Sequence, residues 1–351
     1  MRFSDIKGHA RELALLKRAA SSGRLAHAYL FAGQRGVGKV STALAFAAAL
    51  NCEKNLGASE ELTPETAEER GTSCGTCKTC VSITARTHPN LILLEPDEKG
   101  SLKIDRVRDL QKSLNFRVEK GTRVAVIDSA EAMVRNASSV LLKTLEEPPA
   151  GSILILTTAK PNELLRTILS RCQRLNFRPL SQILVKTLIN ESHGSSFNET
   201  EAEIAARLSF GSIGSALNIL DFGLIEKSRE FLKAINAISA GNPEGLFKVV
   251  SAFAKDEDLP ELLGYLQVSL RDMALRLEGA KELTVTEPGE GLVLKKGARG
   301  GIKEVLGLYA VVEEVRKSIA SPSNGNKVLA LESLFFSIKM GTRPSNLNAF
   351  I

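Results

Sequence analysis

The chain has 351 residues, of which 43% are hydrophobic and 25% are charged, and it carries a formal net charge of +6. This length predicts two or three domains, and the composition is ordinary for a soluble globular protein. No apolar run approaches the roughly 18 residues of a transmembrane helix, and the N-terminal sequence has neither the apolar core nor the cleavage site of a signal peptide. We therefore expect a cytoplasmic protein. Its net charge permits contact with nucleic acid without requiring it.

Short apolar runs alternate with helical patterns in the first half of the chain. This alternation predicts an α/β domain with a parallel sheet flanked by helices. The predicted helix before Pro148 and Pro149 must end there, because proline cannot continue a helix. The predicted strands are residues 28–33, 90–96, 123–129 and 152–159, and the predicted helices between them are residues 40–50, 104–115 and 136–147.

The strand patterns end near Arg178, and only helical spacing follows. We predict an α/β domain over residues 1–178, a small helical domain over 179–221 and a larger helical domain over 222–351. A loop-like stretch at residues 284–301 interrupts the last of these.

The sequence GQRGVGKV at residues 33–40 is typical of a phosphate-binding loop, since it lies between a predicted strand and a predicted helix. Gly33, Gly36 and Gly38 would let backbone N–H groups face an anion, and Lys39 would reach the phosphates. Val40 stands where a hydroxyl would bind Mg²⁺, so hydrolysis is in doubt while phosphate binding stays plausible. The alternative is a glycine-rich turn that arose by chance.

A working ATPase also needs acidic groups at the end of a neighbouring strand. Asp128 is in that position, but Ser129 follows it and cannot act as a general base. Glu131 is near in sequence, and we expect it to face another direction. Thr158, near the end of the last predicted strand, is assigned to the same degenerate nucleotide site. The alternative for Asp128 is a strand-end cap.

The sequence TILSRCQRLNF contains Ser170, Arg171 and Cys172. An arginine at the end of a helix is usually a solvated cation that is favourable to the helix dipole. The alternative is an arginine finger that reaches a nucleotide on a neighbouring subunit.

Four cysteines form the pattern C-x21-C-x2-C-x2-C, and disulfides are disfavoured in a cytosolic protein. Four thiolates at this spacing suit a closed, structural zinc site. Buried or redox-active thiols are the alternative, and His88 is a less favoured fourth ligand. Cys172 is distant in sequence and is not assigned to the site. The predicted ligands are Cys52, Cys74, Cys77 and Cys80.

Two further stretches are strongly charged. Residues 53–70 contain six Glu against one Lys and one Arg, which predicts a mobile acidic loop. Residues 103–123 contain seven basic and three acidic residues, which form either a solvated helix face or a face that contacts phosphates. Arg135 and Asn136, at the start of a predicted helix, are further candidates for contacts with a DNA backbone. Without aromatic interleaving, base stacking is not expected.

Three stretches together resemble the clamp-loader subunits of bacterial DNA polymerase III, which are AAA+ proteins. They are HAYLFAGQRGVGK, the four-cysteine module after it, and LLKTLEEPPAGSILILTTAKPNELLRTILSRC. The resemblance covers about the first 220 residues well and the last third by helical pattern only. It implies an AAA+ P-loop domain with an inserted zinc module at about 52–80, then a helical lid and a helical collar.

Two kinds of subunit share these motifs. The gamma/tau kind hydrolyses ATP, whereas the delta-prime kind does not and lends the arginine of its SRC motif to a neighbour. This sequence is more similar to the delta-prime kind, because Val40, Ser129 and Gly214 stand where a motor has a hydroxyl, a glutamate and a sensor arginine. Gly214 occupies the arginine position of the stretch GSIGSAL.

The resemblance implies a catalytically deficient subunit within a complex that has DNA polymerase activity and loads the sliding clamp onto primed DNA. Arg171, with Ser170 and Cys172, would act in trans on a motor subunit's ATP. The implied partners are gamma/tau and delta subunits in a heteropentamer, with the clamp and primer-template DNA. Zinc would be structural, and ATP would be bound without hydrolysis if at all. Two alternatives stay open: an ATP-hydrolysing gamma/tau-like motor, and a nucleic-acid-binding scaffold.

Overall fold

The computed structural model describes residues 1–56, 71–116, 118–193, 197–239, 243–286, 301–320 and 326–340. The chain divides into two compact units. The first comprises Met1–Val185 with Gly211–Gly214, and the second comprises Lys186–Phe210 with Ser215–Ile351. Among the described residues, no helix is both long enough and apolar enough to cross a membrane.

The first unit is built around a parallel sheet of five strands in the order β2-β3-β4-β1-β5. β3 and β4 are buried along their whole length, as expected of inner strands that helices cover on both faces. The predicted parallel sheet with flanking helices is therefore confirmed, and four strands lie where the sequence placed them. The strands are β1 (Ala28–Gly33), β2 (Leu91–Leu94), β3 (Arg123–Ile127), β4 (Ser152–Thr158) and β5 (Gln173–Phe177).

The fifth strand, β5, is not among the predicted strands. It pairs only with β1 at the edge of the sheet, and only Leu175 and Phe177 of its five residues are buried. An edge strand with three exposed residues lacks the continuous apolar run that identifies the inner strands.

The helix after the phosphate loop packs closely on the sheet. It buries every residue from Thr42 to Asn51, and its run of alanines lets the backbone approach the strands. Phe46 of this helix meets Tyr29 of β1 edge to face, with ring centroids 5.5 Å apart. The helices up to β5 are α1 (Ala10–Ser22), α2 (Lys39–Asn51), α3 (Glu53–Leu56), α4 (Lys78–Thr84), α5 (Ile104–Leu114), α6 (Arg135–Glu146) and α7 (Arg166–Leu169).

All described elements after β5 are helical, as the sequence predicts. The second unit has its own apolar core, which is centred on fully buried side chains such as Phe231, Leu266 and Leu331. The three-domain bounds given above stay a prediction. The helices are α8 (Gln182–His193), α9 (Glu199–Leu208), α10 (Ile213–Asp221), α11 (Leu224–Ser239), α12 (Pro243–Phe253), α13 (Leu259–Leu277), α14 (Ile302–Ala320) and α15 (Lys327–Met340).

Parts of three predicted segments lie outside the described residues. They are residues 57–70 of the acidic loop, residue 117 of the basic stretch and residues 287–300 of the loop-like interruption.

Candidate functional site

The phosphate loop connects the end of β1 to the start of α2. Gly36 and Gly38 have φ angles of 74° and 105°, a region that side-chain-bearing residues rarely adopt. A turn of this kind, followed at once by a helix, directs backbone N–H groups toward a common point where an anion could bind. The local fold of a phosphate loop is thus present.

Lys39 points back into this loop. Its side chain is buried, and its Nζ donates to the carbonyl oxygens of Gly33 and Gln34 at 2.7 and 2.8 Å. Burial lowers the pKa of Lys39, and the nearby carboxylates of Asp128 and Glu131 oppose that shift. The cation that would meet a phosphate is held by the loop's own carbonyls.

Residues 212–214 lie against the same loop. The Ser212 hydroxyl donates to the carbonyl of Arg35 at 2.7 Å, and the N–H of Gly214 donates to the carbonyl of Gly36 at 2.9 Å. A Cβ atom on Gly214 would come within 2.8 Å of the Gly36 Cα, which is closer than real Cβ atoms approach. This backbone arrangement therefore leaves no room for an arginine at position 214.

The strand ends beside the loop place Thr157 against Asp128. The Thr157 hydroxyl donates to Asp128 Oδ1 at 2.5 Å and accepts from the N–H of Ser129 at 3.1 Å. Thr158, which the sequence suggests for the nucleotide site, is fully buried and accepts from the N–H of Lys160 at 3.0 Å. Thr157 is thus the residue that contacts the acidic group, and sequence reasoning misses it because both threonines end the same buried strand.

Glu131 does not lie where the sequence suggests. Instead of facing away, its Oε1 accepts from the N–H of Ala159 at 3.0 Å, just past the end of β4. Its Oε2 is buried and has no hydrogen-bond partner among the described residues. The 3-10 turn Ala130–Ala132 carries the side chain back over the edge of the sheet, which spacing along the chain does not reveal.

Arg171 lies just past the end of the short helix α7. The Thr167 carbonyl accepts from the Ser170 hydroxyl at 3.2 Å and from Arg171 Nη1 at 3.1 Å. Arg171 Nη2 donates to Oε1 of Glu146, the last residue of α6, at 2.8 Å. The two side chains remain 35% and 50% exposed, so the guanidinium is oriented yet open to solvent.

Sequence reasoning does not single out Glu146. It is 25 residues from Arg171, and neither helical nor strand periodicity connects the two positions. The only available signal is its place in the string LLKTLEEPP, which carries family resemblance.

Cys172 anchors the segment that carries Arg171. Its side chain is half-buried and packs against the apolar cluster that includes Leu141 and Ile168. Burial raises the pKa of the Cys172 thiol to about 12, so the group is neutral and behaves as a small apolar side chain. It holds the chain against the core on one side of Arg171 while the Ser170 hydroxyl closes the end of α7 on the other.

Arg171 and the phosphate loop lie at opposite ends of the sheet. β1 and β5 are parallel, and their register pairs Tyr29 with Gln173 and Gly33 with Phe177. Arg171 precedes β5 at the amino end of the strands, whereas the loop follows Gly33 at the carboxyl end. At about 3.3 Å per residue, the four steps of β5 from Gln173 to Phe177 span roughly 13 Å, and Arg171 lies two residues before this strand.

The four predicted ligand cysteines come together. Their sulfur atoms all lie within 4.8 Å of one another, at the end of α2 and the start of α4. Four sulfurs so close can bind a metal ion such as Zn²⁺, which favours tetrahedral thiolate sites. His88 is not part of the cluster; its Nδ1 accepts from the N–H of Asn90 at 3.1 Å.

Backbone N–H groups support thiolate at this cluster. Those of Cys74, Cys77 and Cys80 donate to the sulfurs of Cys52, Cys74 and Cys77, at 3.4, 3.3 and 3.4 Å. Burial tends to raise the pKa of the Cys74 thiol, but hydrogen bonds from Cys77 and Thr76 lower it to about 6. Burial and the neighbouring Cys77 and Cys52 raise the pKa of the Cys80 thiol, so the four sulfurs would all be thiolates only with a cation bound among them.

The basic stretch at residues 103–123 does not form one uniform cationic face. Arg123 is buried, and its Nη1 donates to the carbonyl oxygens of Ser113 and Phe116. Arg108 and Lys112 form exposed ion pairs with Asp105 and Asp109 on the same helix. Arg123 therefore stabilises the end of α5 instead of facing a ligand, a role that composition could not distinguish.

Arg135 and Asn136 form the first turn of α6, and both are exposed. No side chain caps this helix end among the described residues. The position suits contact with a phosphate group, since unpaired N–H groups and a cation are presented together.

The chain matches several known proteins. A family described as DNA polymerase III, delta subunit, matches residues 8–181. The delta-prime subunit of DNA polymerase III from Pseudomonas aeruginosa PAO1 is 30% identical over 339 residues, which are 92% of this chain and 94% of that protein. The tau subunit of DNA polymerase III from Escherichia coli K12 is 32% identical over 341 residues, and this chain spans only 46% of its length.

Among solved structures, a DNA polymerase III gamma subunit-related protein from Thermotoga maritima matches 94% of this chain and 98% of its own, with 17% identity and a TM-score of 0.44. The family follows from the sequence comparisons, since the identity to the Pseudomonas protein extends over nearly the full length of both chains. The chain belongs to the delta-prime family of DNA polymerase III clamp-loader subunits, as the motifs of the sequence indicate.

Proposed function

We propose that this chain is a non-hydrolysing clamp-loader subunit that supplies Arg171 to the ATP site of an adjacent motor subunit. The complex would be a heteropentamer with gamma/tau and delta subunits in the cytoplasm. It would use ATP to place the sliding clamp on primer-template DNA, which Arg135 and Asn136 would help to hold. Arg171 would stabilise the charge that develops on the γ-phosphate during hydrolysis.

The position of Arg171 at the amino end of the sheet carries this proposal. The phosphate loop of the same chain lies at the other end, so Arg171 would have to cross the whole length of β5, roughly 13 Å, to reach a nucleotide there. A guanidinium cannot act over that distance by direct hydrogen bonds. It can act on a nucleotide that another subunit presents to this end of the sheet.

The catalytic deficiency that we propose rests on three positions. Val40 has no oxygen for Mg²⁺, Ser129 replaces a carboxylate, and the backbone at Gly214 leaves no room for a side chain. Lys39 is already bound by Gly33 and Gln34. If ATP binds here at all, it would do so without turnover.

The decisive measurement is the DNA-stimulated ATPase rate of a reconstituted complex. We expect Arg171→Ala to lower the rate of the adjacent site by about 10³-fold or more, because that is the contribution of an arginine finger. Arg174→Ala is the matched control, since it removes an exposed arginine three residues away that bonds Asn176 of its own strand, and it should leave the rate of the complex nearly unchanged. An Arg171→Ala complex with the full wild-type rate would refute the proposal.

A second candidate is an ATP-hydrolysing motor of the gamma/tau kind. Two observations favour it: the 32% identity to the E. coli tau subunit, and the unpaired Oε2 of Glu131 at the edge of the sheet near Lys39, among the residues that the structure describes. It predicts ATP turnover by the purified chain that Lys39→Ala abolishes. We expect no turnover above background, and Lys39-dependent hydrolysis would replace our proposal with this one.

We further propose that the four cysteines hold a structural zinc ion. Four thiolates leave no open position for water, so the ion would stabilise the segment between α2 and α4 without taking part in catalysis. Purified chain should contain about one zinc ion, and Cys77→Ser should lose it. Thr76→Ser, which alters a neighbour without removing a thiol, should retain the metal. Undiminished zinc in Cys77→Ser would contradict the assignment.

A further inference from the structure

We propose that Glu146 is a positioning residue for Arg171: its carboxylate holds the guanidinium in the orientation that a neighbouring subunit's nucleotide meets. The inference rests on the function proposed above and names a residue that acts through Arg171.

The first support is the way in which the guanidinium is held. Nη1 donates to the Thr167 carbonyl at 3.1 Å, and Nη2 donates to Glu146 Oε1 at 2.8 Å. The guanidinium is planar and rigid, so two acceptors on two different nitrogens fix both its direction and its plane. Within the part of the chain that the structure describes, its remaining N–H groups have no other partner and can meet phosphate oxygens.

The second support is that both acceptors are themselves fixed. Glu146 ends α6, whose Leu141 and Leu145 are buried in the core of the first unit. Thr167 lies in α7, and Ile168 beside it is fully buried. Two helices that pack on the same apolar cluster thus hold the arginine from two sides.

The ion pair contributes little to folding, which distinguishes a role in stability from a role in orienting Arg171. Its side chains are 35% and 50% exposed, and ion pairs of this kind are only weakly stabilising. Removing Glu146 should therefore leave the fold intact. An effect on the reaction would come from orientation, because an unrestrained arginine must find its geometry again at every encounter.

A carboxylate beside Arg171 also has an opposing effect. Its negative charge weakens the attraction between the guanidinium and a phosphate. Solvent screens the repulsion between the Glu146 carboxylate and the phosphate, because the carboxylate is exposed. A loss of guanidinium orientation is not screened. We therefore expect orientation to dominate, so that removing Glu146 lowers the rate.

The test is a steady-state comparison in the reconstituted complex with DNA. Glu146→Ala should lower kcat about tenfold and leave KM for ATP unchanged, because the restraint matters in the transition state. Glu146→Leu, which keeps the bulk but has no acceptor, should match it. Glu146→Gln keeps an acceptor oxygen and should recover most of the rate.

Glu147 supplies the matched control. It is the next residue and is also exposed, and the carboxylate that accepts from Arg171 belongs to Glu146. Glu147→Ala should stay within about twofold of the wild type, as expected of a surface change. Thermal unfolding and the assembly of each variant are measured alongside, and neither should change appreciably in Glu146→Ala or Glu146→Leu.

Three results would overturn the inference. If both Glu146→Ala and Glu146→Leu match Glu147→Ala while Arg171→Ala is inactive, Arg171 acts as an arginine finger and Glu146 does not position it. If kcat rises in the Glu146 variants, the ion pair restrains Arg171 instead of orienting it. If Arg171→Ala itself has no effect, the proposed function fails and this inference fails with it.

Discussion

Two cations of the first unit face opposite environments. Lys39, in the phosphate loop, is 7% exposed, and its Nζ donates to two carbonyl oxygens of its own loop. The Arg171 side chain, at the other end of the sheet, is 35% exposed and is held at two of its nitrogens. Lys39 is hydrogen-bonded within its own loop, whereas Arg171 is held at two nitrogens and remains partly exposed to solvent.

Under the proposed function, a motif typical of catalysis and the group that acts are separate within one domain. Lys39 and the contacts of Ser212 and Gly214 make the loop a packed structural corner. Arg171 is held by Glu146 and the Thr167 carbonyl and stays partly exposed, which is the arrangement expected of a group that acts on another molecule.

The largest expected effect concerns the geometry of Arg171. Arg171→Lys keeps the positive charge but loses the planar fork that Glu146 and the Thr167 carbonyl hold. We expect the DNA-stimulated kcat of the complex to stay at least about 100-fold below that of the wild type. A lysine variant with nearly full activity would show that charge alone matters at this end of the sheet.

The next effect tests whether the phosphate loop is a packed corner. A Cβ on Gly36 would come within 2.5 Å of the Ser212 hydroxyl and 3.0 Å of the Gly214 Cα, at a φ of 74°. Gly36→Ala should lower the free energy of unfolding by about 2–4 kcal/mol, from backbone strain together with overpacking. Urea unfolding measures this change.

Gly23 is the matched control for that measurement. Its φ of 68° is similar, and among the described residues no atom lies within 4 Å of the position a Cβ would take. Gly23→Ala should therefore cost only the backbone term, about 1–2 kcal/mol. Equal losses in the two variants would mean that residues 212–214 do not pack against the loop.

The smallest effect is a pH dependence that arises from Lys39. Burial lowers its pKa below the ordinary value of 10.5. Between the lowered pKa and 10.5 the unfolded chain binds more protons than the folded chain, so stability rises with pH through this window. Lys39→Met lacks this group, so the stability of the wild type relative to the variant should increase as pH rises. A constant difference across the alkaline range would argue that Lys39 is not buried in solution.

The inner part of the fold follows from the sequence because it is governed by burial. β3 and β4 are apolar on both faces, so their runs of Val, Ile and Leu identify them without reference to tertiary contacts. β5 cannot be recognised in this way. Its strand conformation comes from pairing with β1, a partner that lies about 140 residues earlier in the chain.

The candidate site shows the same difference between features with a local sequence pattern and features that depend on tertiary contacts. The spacing of Cys74, Cys77 and Cys80 is a local pattern that points to a metal site, with Cys52 farther away in the chain. The SRC motif points to Arg171 only through the family resemblance, because an arginine at a helix end is usually a solvated cation. The partners of these groups are not local: Glu146 reaches Arg171, Thr157 reaches Asp128, and Gly214 meets Gly36, each across an intervening element. Contacts of this kind depend on how the elements pack, and spacing within one element cannot reveal them.

Arg171 and the phosphate loop lie at opposite ends of parallel strands, so the donating and receiving ends of the subunit would face different neighbours. Subunits that each donate at one end and receive at the other assemble head to tail, and such a row continues until it closes or meets a member that cannot continue it. In the proposed complex this chain has an intact donor and a receiving end without its catalytic groups. It would therefore end such a row: Arg171 would complete the ATP site of one neighbour, and the phosphate loop of this chain would not turn ATP over.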